Sequence, residues 1–205
     1  MTAPAELARP SSATDALTED ERVRRSVLMS LDDGNRRAAL ELLMTTYGHR
    51  LHGYCLRVLR DPALAEDVLQ QVFVQAYEGL PSYGRKARLI SWLLAIANHR
   101  CLDALKAERR RSQRFAAADD VPEPADDSAD PARSLDSVQV NAALESCLSR
   151  LAPHVRMALL LRYHEGLSFE EMSDMLGEKA ATLQARVARA MPFLRACLRA
   201  KGVSL

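Results

Sequence analysis

"LSFEEMSDMLGEKAATLQARVARA", Leu167 to Ala190, reads as two helices around a glycine. Ser168 is a good cap for the first helix, since its hydroxyl can accept from an exposed N–H of the first turn. Met172, Met175 and Leu176 then fall on one face, and Gly177 breaks the run. In the second helix Leu183, Val187 and Ala190 recur at helical spacing and face inward. A short helix, a glycine turn and a longer helix form a helix-turn-helix, whose second helix enters the DNA major groove. Its outward groups are Thr182, Gln184, Arg186 and Arg189. Glutamine can bond adenine edges, and arginine can bond guanine or phosphate. Two short helices also pack this way in plain bundles, so the stretch needs its surroundings to be read.

Residues 141–205 around it are expected to form four helices, at about 141–151, 153–163, 168–176 and 180–200. Before them, residues 116–140 hold three prolines, seven acids and one base, which reads as an acidic linker. Further upstream, residues 18–115 carry four more helical patterns, and residues 1–17 read as a loose polar tail. Thr18 and Glu21 have capping-box spacing and predict the start of the first helix. Asn35 predicts the cap of a second helix, and Asp61-Pro62 closes that helix and opens a third. The third presents Ala65, Val68, Val72 and Ala76 inward, and Gly79 to Arg88 reads as a loop. The fourth, "SWLLAIANHRCLDALKAERRR" (Ser91 to Arg111), starts apolar and ends in three arginines. No convincing strand pattern occurs, so the chain reads as all-α, two small helical modules on an acidic tether.

The net charge of +1 conceals a steep partition. Residues 85–114 carry 9 Lys/Arg against 2 Asp/Glu, whereas residues 116–140 carry 1 against 7. Such a local cation excess is a footprint for a polyanion. A helix rising 1.5 Å per residue would spread Arg88 to Arg110 over about 33 Å, enough to follow several phosphates. Tyr83, and Trp92 if it is not core, could stack on an exposed base. The four cysteines, Cys55, Cys101, Cys147 and Cys197, are expected as buried reduced thiols of an intracellular protein. His49, His52 and Cys55 step by three and drift around the helix, so no metal site is expected. Nucleophile–base pairs and phosphate-binding glycine loops are missing, which argues against an enzyme and against a cofactor. No apolar leader or spanning run is present, and a cytoplasmic protein is expected.

"LRDPALAEDVLQQVFVQAY", "SWLLAIANHRCLDALKAERRR" and "LAPHVRMALLLRYHEGLSFEEMSDMLG" with "ATLQARVARA" together resemble the promoter-recognition regions of bacterial sigma factors. The chain is similar to the small extracytoplasmic-function (ECF) group, over roughly residues 20–114 and 141–200. The resemblance implies a region 2-like bundle and a region 4-like helix-turn-helix joined by a flexible linker. It implies binding to core RNA polymerase, promoter melting and transcription initiation, with an anti-sigma protein as a further partner. The third helix, through Glu66, Asp67, Gln70 and Phe73, would dock on the clamp helices of the β′ subunit, and the second module would meet the β flap. Residues Ser82, Tyr83, Arg85, Lys86 and Arg88 would capture a flipped base of the −10 element. His99, Arg100, Lys106, Arg109, Arg110 and Arg111 would hold the opened strand. Two other readings remain open: a helix-turn-helix regulator binding duplex DNA alone, and a degenerate sigma-like protein-binding module.

The sequence departs from the family pattern at specific places. Where the family reads "IARNxxLD", Asn98 replaces an arginine and His99 an asparagine, and Lys106 stands for a usual arginine. Where it favours "GTVKSRLHRA", Gln184, Ala185 and Ala188 replace lysine, serine and histidine. Fewer polar contacts to DNA predict weaker or altered reading of the upstream element. A footprint of the isolated 141–205 module should therefore show weak protection there; strong, salt-sensitive protection would contradict this reading.

Overall fold

The computed structural model describes residues 13–83, 88–115 and 137–203. The N-terminal tail up to residue 12, loop residues Arg85 and Lys86, and most of the acidic linker lie outside the described residues. Among the described residues all regular structure is helical.

The first module comprises α1 (Ala13–Asp32), α2 (Arg36–Leu59), α3 (Pro62–Gly79) and α4 (Leu89–Phe115), with a 3₁₀ turn at Leu80–Ser82. The cap expected at Thr18 is overtaken: α1 starts at Ala13, because Ala and Leu are good helix formers and carry the backbone through. The other signals act as read. Asn35 accepts from the Ala38 N–H at 3.0 Å, and Asp61 accepts from that of Leu64 at 3.1 Å. Between them Arg60 ends α2 in the left-handed region at φ 62°, its N–H bonded to Leu56 O at 2.8 Å. The core gathers Leu43, Leu51, Tyr54 and Val58 of α2, Val68 and Val72 of α3, and Leu89, Leu93, Leu94 and Ala97 of α4. Within it Tyr54 donates to Asn98 Oδ1 at 3.1 Å. Asn98, a departure from the family pattern, is thus a core hydrogen-bond partner facing away from solvent.

The second module comprises α5 (Ser137–Ser149), α6 (Pro153–Leu159), α7 (Phe169–Leu176) and α8 (Ala180–Ala200). Ser168 and Glu171 form a reciprocal capping box, and Gly177 turns the chain at φ 69°. Leu161, Leu167, Met172, Leu183 and Val187 are buried, so α7 and α8 share one apolar seam. The expectation of four reduced thiols is corrected at one pair. Packing of α5 on α8 brings Cys147 and Cys197 together, and they form a disulfide with Cα atoms 5.9 Å apart. Cys55 and Cys101 are free and buried.

A π-helical turn, Leu160–His164, follows α6 and delivers Glu165 into the molecule. There the two modules meet. The Glu165 side chain is wholly buried. It accepts from Nε of Arg50 on α2 at 2.6 Å, while Nη2 of Arg50 donates to its backbone oxygen at 3.2 Å. His164 Nδ1 lies 2.9 Å from its other oxygen. Close by, Arg156 Nη2 donates to Val58 O at 2.6 Å, satisfying a carbonyl of the last turn of α2. Burial holds that guanidinium's pKa down. A more exposed pair, Arg57–Glu145 at 3.5 Å, flanks them. Helix α7 also packs on α4, and α6 on α2 and α4.

Two outcomes follow from this packing. Arg50→Ala leaves a buried carboxylate without its main partner, a loss of roughly 3–5 kcal/mol for a fully buried pair and less here because Arg50 is partly exposed. The modules should then separate, seen as a larger radius of gyration in solution scattering. Cys147→Ala opens a cross-link spanning 50 residues, which a chain-entropy model sets at about 4 kcal/mol. Thermal unfolding followed with and without reductant should show the same drop for reduced wild type as for this variant.

Candidate nucleic-acid interface

Helix α4 is built in two halves. From Leu89 to Cys101 most of it is buried against α2 and α3, whereas Lys106 to Gln113 is largely exposed. The first half fixes the direction of the second, because no glycine or proline interrupts the helix. At its start, Trp92 lies over Gly79, where an added Cβ would meet the ring at 3.1 Å. That small residue seats the ring, and Tyr83 tilts against it with centroids 5.1 Å apart.

The proposed cations differ in how freely they are offered. Arg109 and Arg110 are exposed, and among the described residues no carboxylate pairs with either. Lys106 has Asp103 at 3.6 Å, and Arg111 has Glu108 at 2.5 Å, both at exposed sites where such pairs contribute little. Arg100 donates from Nε to Gln75 Oε1 at 2.7 Å, which ties α4 to α3. Arg88 Nε lies 3.6 Å from Asp20, whose other oxygen accepts from Tyr47. His99 is exposed, with Nδ1 2.8 Å from Ala95 O. In the neighbouring loop Ser82 is exposed and donates to Gly79 O at 2.9 Å. Tyr83 is 7% exposed, so the ring expected to meet a base is turned into the module here.

On α3, Glu66, Asp67 and Gln70 form an exposed polar edge, and Phe73 is core. Asp67 and Gln70 line a groove with Arg100, and Asp67 lines a second with Arg110 and Arg111. The edge read for polymerase docking therefore adjoins the cationic half of α4. Spacing along either helix alone gave no sign of this juxtaposition.

The recognition helix α8 packs on α5, α6 and α7, so its outer face stays open although the modules touch. Thr182, Gln184 and Arg189 are exposed there. Arg186 is not free: both its terminal nitrogens donate to Glu178, at 3.0 Å for Nη1–Oε1 and closer for Nη2–Oε2. That pairing holds the Glu178 carboxyl below its usual pKa. Glu178 escaped the sequence reading because it lies eight residues from Arg186, beyond the three- and four-residue steps by which helical neighbours are recognised. Beside this face Leu151, Val155 and Phe193 line a concave surface with Arg186 and Arg189. Among the described residues no cluster of metal-binding side chains forms, and no helix is long and apolar enough to cross a membrane.

The two modules also match known families. Residues 43–111 match the model for Sigma-70 region 2, and residues 141–194 that for Sigma-70 region 4. The ECF RNA polymerase sigma factor SigK of Mycobacterium sp. (strain KMS) is 33% identical over 152 residues, covering 73% of this chain and 77% of that protein. RNA polymerase sigma factor CarQ of Myxococcus xanthus is 34% identical over 160 residues, covering 78% and 89%. In fold, the chain is similar to the sigma factor RpoE solved with the anti-sigma factor NepR from Bartonella quintana, with a TM-score of 0.63 at 21% identity over 78% of this chain and 96% of that one. CnrH, solved with the cytosolic domain of CnrY, gives a TM-score of 0.60 at 22% identity over 87% and 98%. With both regions in order and relatives matched over most of their length, the chain belongs to the ECF group of RNA polymerase sigma factors.

Proposed function

We propose that this sigma factor divides promoter opening and promoter reading between the surfaces described above. The polar edge of α3, with Glu66, Asp67 and Gln70, binds the β′ clamp helices of core polymerase. The neighbouring cations of α4 hold the non-template strand as it separates, and the loop from Ser82 to Arg88 takes up a flipped base, aided by Tyr83 once its ring swings out. Unstacking a base costs a few kcal/mol, which pocket and backbone contacts can offset. The exposed side chains of α8 read the upstream duplex, and the module carrying them meets the β flap. The protein performs no reaction of its own; it acts in the cytoplasm, where it lends the polymerase its promoter choice.

One observation supports this division above the others: Arg109 and Arg110 project, with no carboxylate partner among the described residues, from a helix whose first half is locked into the core. An exposed cation row on a fixed support suits a polyanion better than a folding role. An anti-sigma protein completes the reading, since RpoE and CnrH, which share this fold, were each solved with a partner named as an anti-sigma factor or a cytosolic domain.

Replacing Arg109, Arg110 and Arg111 together with alanine should lower open-complex formation at least tenfold while changing core-polymerase affinity less than threefold, a pattern expected if several phosphate contacts are lost. Permanganate reactivity of the promoter reads the first and competition for core polymerase reads the second. Equal losses would assign these arginines to docking or folding.

A further inference from the structure

Glu178 stands just before Lys179, the N-cap of α8, and reaches two turns along that helix to Arg186. Both planes meet fork to fork, Nη1 on Oε1 and Nη2 on Oε2, the geometry in which a carboxylate fixes a guanidinium's orientation as well as its position. The Arg186 side chain is only 19% exposed, that of Glu178 39%. Three of the five N–H donors of Arg186 remain uncommitted to this pair. The guanidinium borders the same concave surface as Thr182, Ala185 and Arg189, on the outer face of the recognition helix.

Two consequences for DNA binding follow. A free arginine must give up much rotamer freedom to meet a base edge, whereas one already strapped in place has lost it on folding. Its charge is also matched by a carboxylate, so it contributes little to the unspecific pull of phosphates, and it releases no counterion of its own on binding. Arg189, exposed and without such a strap among the described residues, keeps that role.

We propose that Glu178 is a positioning residue for upstream-element recognition: it holds Arg186 in one orientation to read a base edge and suppresses its use as a phosphate contact. This rests on the reading of α8 as the duplex-reading helix. It also revises the inference from the missing lysine, serine and histidine. A recognition helix poor in polar groups can still select sequence if one of its arginines, Arg186, is pre-oriented.

The test uses holoenzyme assembled from the full chain and core polymerase, bound to promoters randomised across the upstream element, over a range of NaCl concentrations. Wild type, Glu178→Gln, Arg186→Ala and the double variant are compared. Glu178→Gln keeps the side chain's shape while removing its charge. It should lose about tenfold in selectivity at one base pair, the same one affected by Arg186→Ala. Its slope of log affinity against log salt should steepen by about 0.9, the increment of one added phosphate contact. The double variant should show the lost selectivity without the steeper slope. If Glu178→Gln lowers the melting temperature but leaves selectivity and salt slope at wild-type values, Glu178 merely braces the helix and the proposal fails alone. If wild-type holoenzyme opens promoters with no preference at any upstream position, the role given to α8 fails with it.

Discussion

The Glu165 side chain is wholly buried, and a carboxylate so placed costs several kcal/mol unless other groups replace its hydration. Arg50 does so from the opposite module, with two donors converging on one residue. His164 borders the remaining oxygen. This exchange fixes where the second globule sits, and Arg156 reinforces it by finishing the open end of α2. The contacts on the first module are made by α6, α7, Glu165 and, through Glu145, α5, which leaves the outer face of the recognition helix open. The arrangement leaves three surfaces exposed together: the α3 edge, the far half of α4 and the outer face of α8.

Much of this was legible from residue order. Asn35, Asp61-Pro62 and Ser168 act locally through hydrogen bonds within three residues, so their meaning survives without knowledge of the fold. The inward rows of α3, α4 and α8 were readable for the same reason, since helical periodicity is a property of the segment. What escaped depends on distant partners. Arg50 and Glu165 are 115 residues apart, and Arg156 and Val58 are 98 apart. Each looks like an ordinary surface charge or core residue in its own helix. Cys147 and Cys197 were likewise read one at a time as buried thiols, because only the packing of α5 on α8 pairs them.

The candidate site shows the same division. Its cations were visible as composition, yet composition treats them as equal. The structure ranks them: Arg109 and Arg110 open, Lys106 and Arg111 lightly engaged, Arg100 committed to α3, and Arg186 strapped to Glu178. Departures from the family pattern also acquire distinct meanings. Asn98 belongs to the core through Tyr54, whereas His99 next to it faces solvent.

The seat of Trp92 on Gly79 has a mechanical corollary. From Trp92 to Arg110 an uninterrupted helix acts as a lever about 27 Å long, at 1.5 Å per residue. A pivot of about 5° at the ring would swing the far guanidinium by roughly 2 Å on that geometry, more than half a hydrogen-bond length. Aim of the charged tip is therefore set at its base, by a contact small enough for one methyl group to disturb.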